Sequence, residues 1–249
     1  MGQAAPSRAA GSASPVRDGL AKPGKIQGVV ARLGGGIARG EFAPGASLPR
    51  ESDLEQSLGA SRGVVREAVK ILATKGLVSV GPRVGTRVQP RRDWSLLDPD
   101  VLRWIAHAGI DHDLLVALDE ARAVVEPGAA AIAAIRATEA DRTRIREAFQ
   151  AMEAHCDEPS AAIAADKAFH LAILDATHNP VLRGFRAAID AILDAVFAAT
   201  IPMLRPNLPN HDAVARAIEA RDAQAARRAM NLVLGRTSDL IAKRRGSAS

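Results

Sequence analysis

The sequence predicts a mainly α-helical protein in which a small amino-terminal domain with one β-hairpin precedes a larger all-α bundle. Three observations lead to this prediction. β-Hairpin signals stop after residue 92, helical apolar spacing dominates the rest of the chain, and the net charge changes sign between the two parts. With 249 residues, of which 47% are hydrophobic, the chain is long enough to bury two cores.

Composition divides the chain into four segments. Residues 1–22 are rich in Ala, Gly, Ser and Pro and are expected to form a disordered tail. Residues 23–90 form the small domain, 91–97 a linker, and 98–245 the helical bundle. The tail lacks the apolar core of a signal peptide, and no apolar run reaches the ~20 residues of a membrane span. The single cysteine, Cys156, excludes an intrachain disulfide, so we expect a cytoplasmic protein with no membrane contact.

A basic helix is predicted directly after Ser61, which stands where a helix N-cap belongs. One face of this helix is apolar, with Val65, Ala68, Val69 and Leu72 at helical spacing. The opposite face carries Arg62, Arg66 and Lys70. Like charges at this spacing repel each other, and nucleic-acid phosphates would relieve that repulsion.

The basic helix and its neighbouring segments together form a motif. A short helix is predicted upstream, from near Pro49 to Gly59, so that two helices meet across a tight turn. Downstream, two β-branched runs flank GPRVG and predict a hairpin with Arg83 at its tip. The combination predicts a winged helix-turn-helix domain. The helix before it contains Gly34, Gly35 and Gly36, and each glycine costs about 1 kcal/mol relative to Ala, so we expect a kinked or marginal helix there.

The charge distribution indicates double-stranded DNA as a partner. Residues 1–92 carry 15 Lys or Arg against 6 Asp or Glu, whereas the other 157 residues carry 18 against 22. A basic module is therefore attached to an acidic body. Basic surface supplies affinity for nucleic acid through counterion release.

The segments after residue 97 read as successive helices. Helix starts are expected at Asp98 with Pro99, at Thr138, and at Asn179 with Pro180, where one helix is expected to run on to about residue 201. Pro127 is expected to kink its segment or to separate two helices. Trp94 and Trp104 are the only tryptophans, and we interpret them as apolar anchors of the joint between the domains.

Several polar residues lie at positions of the bundle where apolar ones are expected. Asp166 and His170 are four residues apart, hence on one helix face, and His211 could add a third group. These residues fit either a divalent metal or polar ligand, or an ordinary satisfied pair. Arg122 is either a buried clamp for a carboxylate or the surface partner of Glu126. The spacing alone leaves both questions open.

The run LPRESDLEQSLGASRGVVREAVKILATKGLV, followed by GTRV, resembles the winged-helix domain of the GntR family of bacterial regulators. This resemblance implies that operator DNA is contacted from the two helices and the wing. The residues it assigns to DNA are Arg50, Ser61, Arg62, Gly63, Arg66, Arg83 and Gly85.

The helical part resembles the FCD effector domain of the FadR-type subfamily, through RAVVE at 122–126, DKAFH at 166–170, HNPVL at 178–182 and the segment from His211. The resemblance implies an effector site made by Arg122, Asp166, His170 and His211, with Arg122 binding the carboxylate of a small acid. It also implies a divalent metal such as Zn²⁺ on the last three residues. Val233 stands where the family has a fourth ligand.

The segments around the joint, RRDWSLLDPDVLRWI and VEPGAAAIAAIRAT, resemble the galactonate-operon repressor branch, whose members respond to a sugar acid. The resemblance as a whole implies a homodimeric repressor, released from operator DNA by a small carboxylate effector, and no enzyme. Two alternatives remain. A metal-dependent hydrolase would use Asp166, His170 and His211, but the chain has no HExxH signature. In a nonspecific DNA-binding protein, the acidic helical bundle would have no function.

Overall fold

A computed structural model describes residues 24–82, 84–200 and 204–245. The expected tail and the wing-tip Arg83 lie outside these residues. The elements run in the order α1 (Lys25–Ala38), α2 (Glu51–Leu58), α3 (Arg62–Thr74), β1 (Val78–Gly81), β2 (Gly85–Val88), a 3₁₀ turn (Arg91–Asp93), α4 (Pro99–Ala108), α5 (His112–Arg136), α6 (Glu139–His155), α7 (Pro159–Asp175), α8 (Pro180–Gly184), α9 (Arg186–Thr200), α10 (Leu204–Glu219) and α11 (Ala223–Arg245). The mainly α prediction, with a winged helix-turn-helix domain before a helical bundle, is confirmed.

The helix-turn-helix consists of α2 and α3. Gly59 ends α2 in the left-handed region at φ 60°, which is the conformation that glycine adopts at least cost. Ser61 follows as the N-cap of α3 in an extended conformation. The short turn fixes the angle between the two helices, and the apolar face of α3 packs on α1.

The wing is the antiparallel pair of β1 and β2, in a register that places Val78 opposite Val88 and Gly81 opposite Gly85. Residues 45–48 extend it, because Leu48 N–H donates to Thr86 O at 2.8 Å and Val88 N–H donates to Ala46 O at 2.9 Å. The wing is therefore tied to the segment that leads into α2.

The structure narrows or overturns three sequence-based expectations about helices. The glycine-rich α1 is one continuous helix, and its three consecutive glycines are buried. Pro127 does not separate two helices, since α5 continues through it, and the alanines after it pack in the core. The segment after Asn179 forms two helices, α8 and α9, with Phe185 between them. The glycines of α1 lie in a packed interface, which outweighs their low helix propensity.

The α4 helix joins the two domains. Val101 and Ile105 belong to the core of the winged helix, whereas Leu102 belongs to the cluster formed with α9. Lys75, at the end of α3, donates to Asp98 at 2.7 and 2.8 Å and to Asp100 at 3.0 Å. Burial lowers the pKa of Lys75, but these two carboxylates outweigh it, and its pKa lies above the usual value.

Both tryptophans lie at this joint. Trp94 Nε1 donates to Gln89 O at 2.9 Å. The Trp104 ring covers Gly34 of α1 so closely that a Cβ on Gly34 would lie 2.6 Å from Trp104 Cη2. Gly34 therefore allows α4 to dock on α1. Within the described ranges we find no helical stretch with the length and apolarity of a membrane span.

We expect Gly34→Ala to destabilise the protein, although alanine is the better helix former. The new methyl group overpacks the Trp104 contact, which costs about 1–3 kcal/mol. Gly28→Ala on the same helix is the matched control, because its Cβ meets nothing within 4 Å, and it should stabilise by up to about 1 kcal/mol. Urea unfolding measures both changes. Equal effects of the two substitutions would contradict the role given to Gly34.

Candidate functional site

The exposed face of α3 carries the predicted DNA-binding residues. Arg62, Gly63 and Arg66 are exposed, whereas the apolar positions of the helix are buried. Ser61 is exposed, and its side chain makes no capping hydrogen bond. The first N–H groups of α3 also lack partners within the helix, and a helix N-terminus of this kind attracts phosphate. The structure thus brings the α3 candidates together on one surface.

Acidic neighbours reduce the electrostatic repulsion that is expected among Arg62, Arg66 and Lys70 on this face. Glu51 of α2 lies 3.5 Å from Arg62 Nε and 3.7 Å from Arg66 Nε. On α3 itself, Lys70 donates to Glu67 at 3.3 Å. The spacing of the three cations in the sequence does not reveal these partners, because Glu51 lies on α2 and Glu67 is not on the Arg62–Arg66–Lys70 stripe. All of these side chains are largely exposed, so each pair contributes little to stability.

The remaining DNA-binding candidates flank α3. Arg50 is the N-cap of α2 and is exposed. Gly85 begins β2 at φ 77°, a conformation that favours glycine, and is exposed next to the wing tip. Arg83 lies outside the described residues.

The four predicted effector residues meet in the bundle, although they come from three different helices. Arg122 lies on α5, Asp166 and His170 on α7, and His211 on α10, and all four are buried. They line one cavity of about 20 Å³ together with Ile163, Phe197, Leu204, Asn207, Val233 and Thr237. A cavity of this volume holds about one water molecule.

Hydrogen bonds at the back of each imidazole orient the two histidines. His170 Nδ1 pairs with Glu126 Oε2, and His211 Nδ1 lies 3.0 Å from Asn207 O. In both rings Nε2 is left without a hydrogen-bond partner, as is Asp166 Oδ1. Fixing Nδ1 in this way is the usual support for a metal-binding histidine, because it holds the Nε2 lone pair in place.

The three free atoms fit a divalent metal. Asp166 Oδ1 lies 3.2 Å from His211 Nε2 and 3.5 Å from His170 Nε2, and all three atoms lie within 4.8 Å of one another. Tetrahedral ligands at 2.0–2.1 Å from a zinc ion are about 3.3 Å apart. Val233 lines the same cavity at the place where the resemblance puts a fourth ligand, and it offers no donor atom. Three protein ligands would leave coordination positions open.

Arg122 is a buried cation whose partners occupy only part of its guanidinium. Its Nε donates to Glu126 Oε1 at 2.7 Å. Its Nη1 has no hydrogen-bond partner and lies 3.9 Å from Asp119 Oδ1, while the guanidinium lies 5.4 Å from the Phe197 ring centroid. The interpretation of Arg122 as a surface partner of Glu126 is wrong, because the pair is buried. Arg122 keeps a donor free at the cavity.

The electrostatics of the cluster favour charged forms. Burial raises the pKa of Glu126, but Arg122 and His170 outweigh burial and lower that pKa to about 2. Burial likewise disfavours charged His170, yet Glu126 and Asp166 raise the pKa of His170 to about 9. Asp166 is held below its usual pKa against burial by the two histidines, whereas burial raises the pKa of Asp119. In the absence of metal, Arg122 and a protonated His170 together balance the two buried carboxylates of Glu126 and Asp166.

Three contributors to the site were not predicted as functional. Glu126 was considered only as a partner of Arg122, and nothing in the sequence connects it to His170. Asn207 binds both His211, through its backbone oxygen, and Val233 O, through Nδ2 at 2.9 Å. Thr237 lines the cavity from α11. The one available signal was the helical spacing of Asn207 and His211, four residues apart.

A winged helix-turn-helix joined to a bundle with a buried polar cavity defines a class of protein, the ligand-responsive DNA-binding regulators. Comparison with known families agrees: residues 25–88 match bacterial regulatory proteins of the gntR family, and residues 117–236 match the FCD domain.

Individual relatives agree with these two family matches. The galactonate operon transcriptional repressor of Escherichia coli (strain K12) is 36% identical over 209 residues, which cover 82% of this chain and 91% of that protein. The putative L-lactate dehydrogenase operon regulatory protein of the same strain is 34% identical over 197 residues, covering 75% and 74%. A solved structure of Lar, which controls the expression of the Listeria monocytogenes agr system, shares the fold with a TM-score of 0.63 and 19% identity, covering 88% and 96%.

The chain therefore belongs to the gntR family of bacterial regulatory proteins and carries an FCD domain. It is a DNA-binding transcriptional regulator and not an enzyme.

The geometry of the three free atoms leads to a metal-binding prediction. We expect Zn²⁺ to raise the melting temperature of the metal-free protein, because an ion that binds only the folded state stabilises it by mass action. His211→Ala should lose this increase, and Val233→His, which adds a fourth donor, should lower the Kd for Zn²⁺ by about tenfold or more. His178→Ala is the control, since His178 is exposed and bonds Asp141 instead. An equal increase in wild type and His211→Ala would place the ion elsewhere.

Proposed function

We propose that this regulator represses a catabolic operon for a sugar acid or a related small carboxylate, and that its effector releases it from operator DNA. The observation that carries the proposal is the buried cavity in which a free Arg122 donor faces three unpartnered ligand atoms. The names of the relatives, a galactonate operon repressor among them, support the same class of effector. Because the chromosome is its target, we also propose a cytoplasmic location.

On the DNA side, α3 enters the major groove and the wing contacts the neighbouring backbone. Arg62 and Arg66 project from the exposed face of α3, where side chains reach base edges or phosphates. One winged helix reads only a short half-site. We therefore propose a homodimer that binds an inverted repeat.

On the effector side, the cavity suits a small hydroxy acid. Arg122 would bind the carboxylate through its free Nη1. Thr237 supplies a hydroxyl group that can hydrogen-bond to a hydroxyl group of the acid. A divalent ion held by Asp166, His170 and His211 would offer its open positions to carboxylate or hydroxyl oxygens. The lining is therefore complementary to a compact, oxygen-rich anion.

The cavity must enlarge before such an acid can enter. Its volume of about 20 Å³ compares with roughly 300–1,000 Å³ for ordinary ligand pockets. Phe197 of α9 and Leu204 of α10 are the large apolar residues that fill the space beside the polar groups. An effector that binds only an enlarged form shifts the population toward that form.

A continuous set of packed residues connects this cavity to the DNA-binding domain. Phe197 lines the cavity, and its helix α9 packs on α4. The other side of α4 packs on α1, through Trp104 and Gly34, and α1 supports α3. We propose that displacement of α9 by the effector reorients α4 and with it the recognition helix.

The two alternative functions find less support. A hydrolase needs a general base beside the metal, but the nearest further carboxylate, Glu126, uses one oxygen for Arg122 and the other for His170. A nonspecific DNA-binding protein would not need a buried polar cavity.

Arg66→Ala should weaken operator binding by about 1–3 kcal/mol, which is roughly 5–150-fold in Kd, if Arg66 reads a base. The operator is first selected from a random duplex library, and the Kd is then measured by fluorescence anisotropy at fixed salt. Arg103→Ala removes an exposed arginine from α4 and is the control. Unchanged binding by a folded Arg66→Ala protein would exclude this face of α3 from the groove.

Arg122→Lys should keep operator binding but lose most of the effector response, because an ammonium group lacks the fixed geometry in which the guanidinium holds Glu126 with Nε and leaves Nη1 free for the carboxylate. Lysine is preferable to alanine here, since removing the charge would break the buried Arg122–Glu126 pair, at a cost of about 3–5 kcal/mol. A melting-temperature screen of sugar acids and small carboxylates, with and without Zn²⁺, identifies the acid. Release of DNA by that acid at the same concentration for both proteins would remove Arg122 from the site.

A further inference from the structure

Asp119 is a buried acid of α5 that the proposed effector site does not use. It lies three residues before Arg122 and is only 4% exposed. The Ser238 hydroxyl of α11 donates to its Oδ2. Its Oδ1 is buried and has no hydrogen-bond partner among the residues that the structure describes. A buried carboxylate oxygen without a partner costs free energy, so stability alone does not explain why an acid stands here.

The charge of Asp119 is less compensated than the charges of the other acids around the cavity. Glu126 pairs with Arg122 through one oxygen and with His170 through the other. Asp166 lies against two histidines. Asp119, in contrast, faces Arg122 Nη1 at 3.9 Å, which is too long for a hydrogen bond. Burial raises the pKa of Asp119, and its hydrogen-bond and ion-pair partners do not offset this effect.

The atom that faces Asp119 is the same Arg122 Nη1 that the proposed function gives to the effector. Both Nη1 and Asp119 Oδ1 are buried and lack hydrogen-bond partners among the described residues. A carboxylate oxygen of the effector, bound about 2.9 Å from Nη1, would lie within about 7 Å of Asp119 Oδ1. Like charges at this distance repel each other strongly in a buried site. Asp119 and the acid therefore compete for one donor.

We propose that Asp119 is an internal counter-ion of Arg122 that competes with the carboxylate of the effector and thereby sets the acid concentration to which the regulator responds. Asp119 is a positioning residue, because it acts on the effector through Arg122. An acid binds only when its other contacts outweigh this competition, so acids that make few further contacts are excluded. The inference rests on the proposed function, since it concerns the selectivity of the same site.

Calorimetric titration of the full chain with galactonate and with L-lactate, the acids in the names of two relatives, tests the competition. At about pH 8 a carboxyl group carries its charge. Asp119→Asn removes that charge but keeps the shape and an oxygen for Ser238, and it should lower the Kd about tenfold or more. Glu120→Gln is the matched control. Glu120 is the next residue and is exposed, so the same loss of charge should change the Kd by less than about twofold.

The uncharged amides of the same two acids separate the effect of charge from that of shape. Because the competition is between carboxylates, Asp119→Asn should increase the melting-temperature shift caused by the acid and leave the shift caused by its amide unchanged. An equal gain with acid and amide would show that Asp119 only shapes the cavity, and would overturn the inference. Asp119→Ser is a second uncharged variant, and it should change the Kd in the same direction. Circular dichroism shows whether the variants are folded.

The result for the wild type separates this inference from the proposed function. If the wild type binds one of the acids and neither Asp119 variant binds it more tightly, the counter-ion role fails and the proposed function stands. If no protein binds either acid at millimolar concentration, both fail. Binding by the Asp119 variants alone would support both, because removal of the competing charge would then have uncovered the site. Loss of folding in both variants would also contradict the inference, since a competing charge is not needed by the fold.

Discussion

The candidate effector site depends on the two ion pairs of the Glu126 carboxylate. One of its oxygens accepts from Arg122 on the same helix, and the other pairs with His170 on α7. Burying the charges of Glu126, Arg122 and His170 costs free energy, and this cost is offset only because each group lies against an opposite charge. The same arrangement fixes the His170 ring and leaves Arg122 Nη1 free at the cavity. A single acid therefore positions a potential metal ligand and a potential anion receptor, although it contacts neither a metal nor an effector.

The connection between the two domains depends on the α4 helix. Residues one position apart, Val101 and Leu102, enter the cores of different domains. A rigid helix shared by two cores transmits displacement, because packed interiors shift between discrete arrangements rather than deforming continuously. Lys75 ties the end of α3 to the start of α4 through Asp98 and Asp100. The recognition helix is thus attached to α4 both directly and through α1.

The sequence predicted those features that local signals encode. The αL glycine after α2, the N-cap Ser61 and the paired β-branched runs act within a few residues, so the winged helix could be derived before the fold was known. The family resemblance, rather than spacing, brought residues of α5, α7 and α10 to one site. Arg122 with Glu126 could not be placed from sequence, because an i,i+4 pair looks the same on a surface and in a core. Trp104 packs on Gly34 of α1 although it lies seventy residues further along the chain, and no local rule reports such a contact.

The water-sized cavity has a consequence for the inducer threshold. If only a small fraction of molecules is open at any moment, the apparent Kd equals the intrinsic Kd divided by that fraction. Cells would then respond at acid concentrations set partly by how tightly Phe197 and Leu204 close the space, and not only by the polar contacts. Substitutions on α9 that do not contact the ligand could change, by tenfold or more, the acid concentration at which an operon switches on. Sensitivity can then evolve while the polar contacts that recognise the acid stay constant.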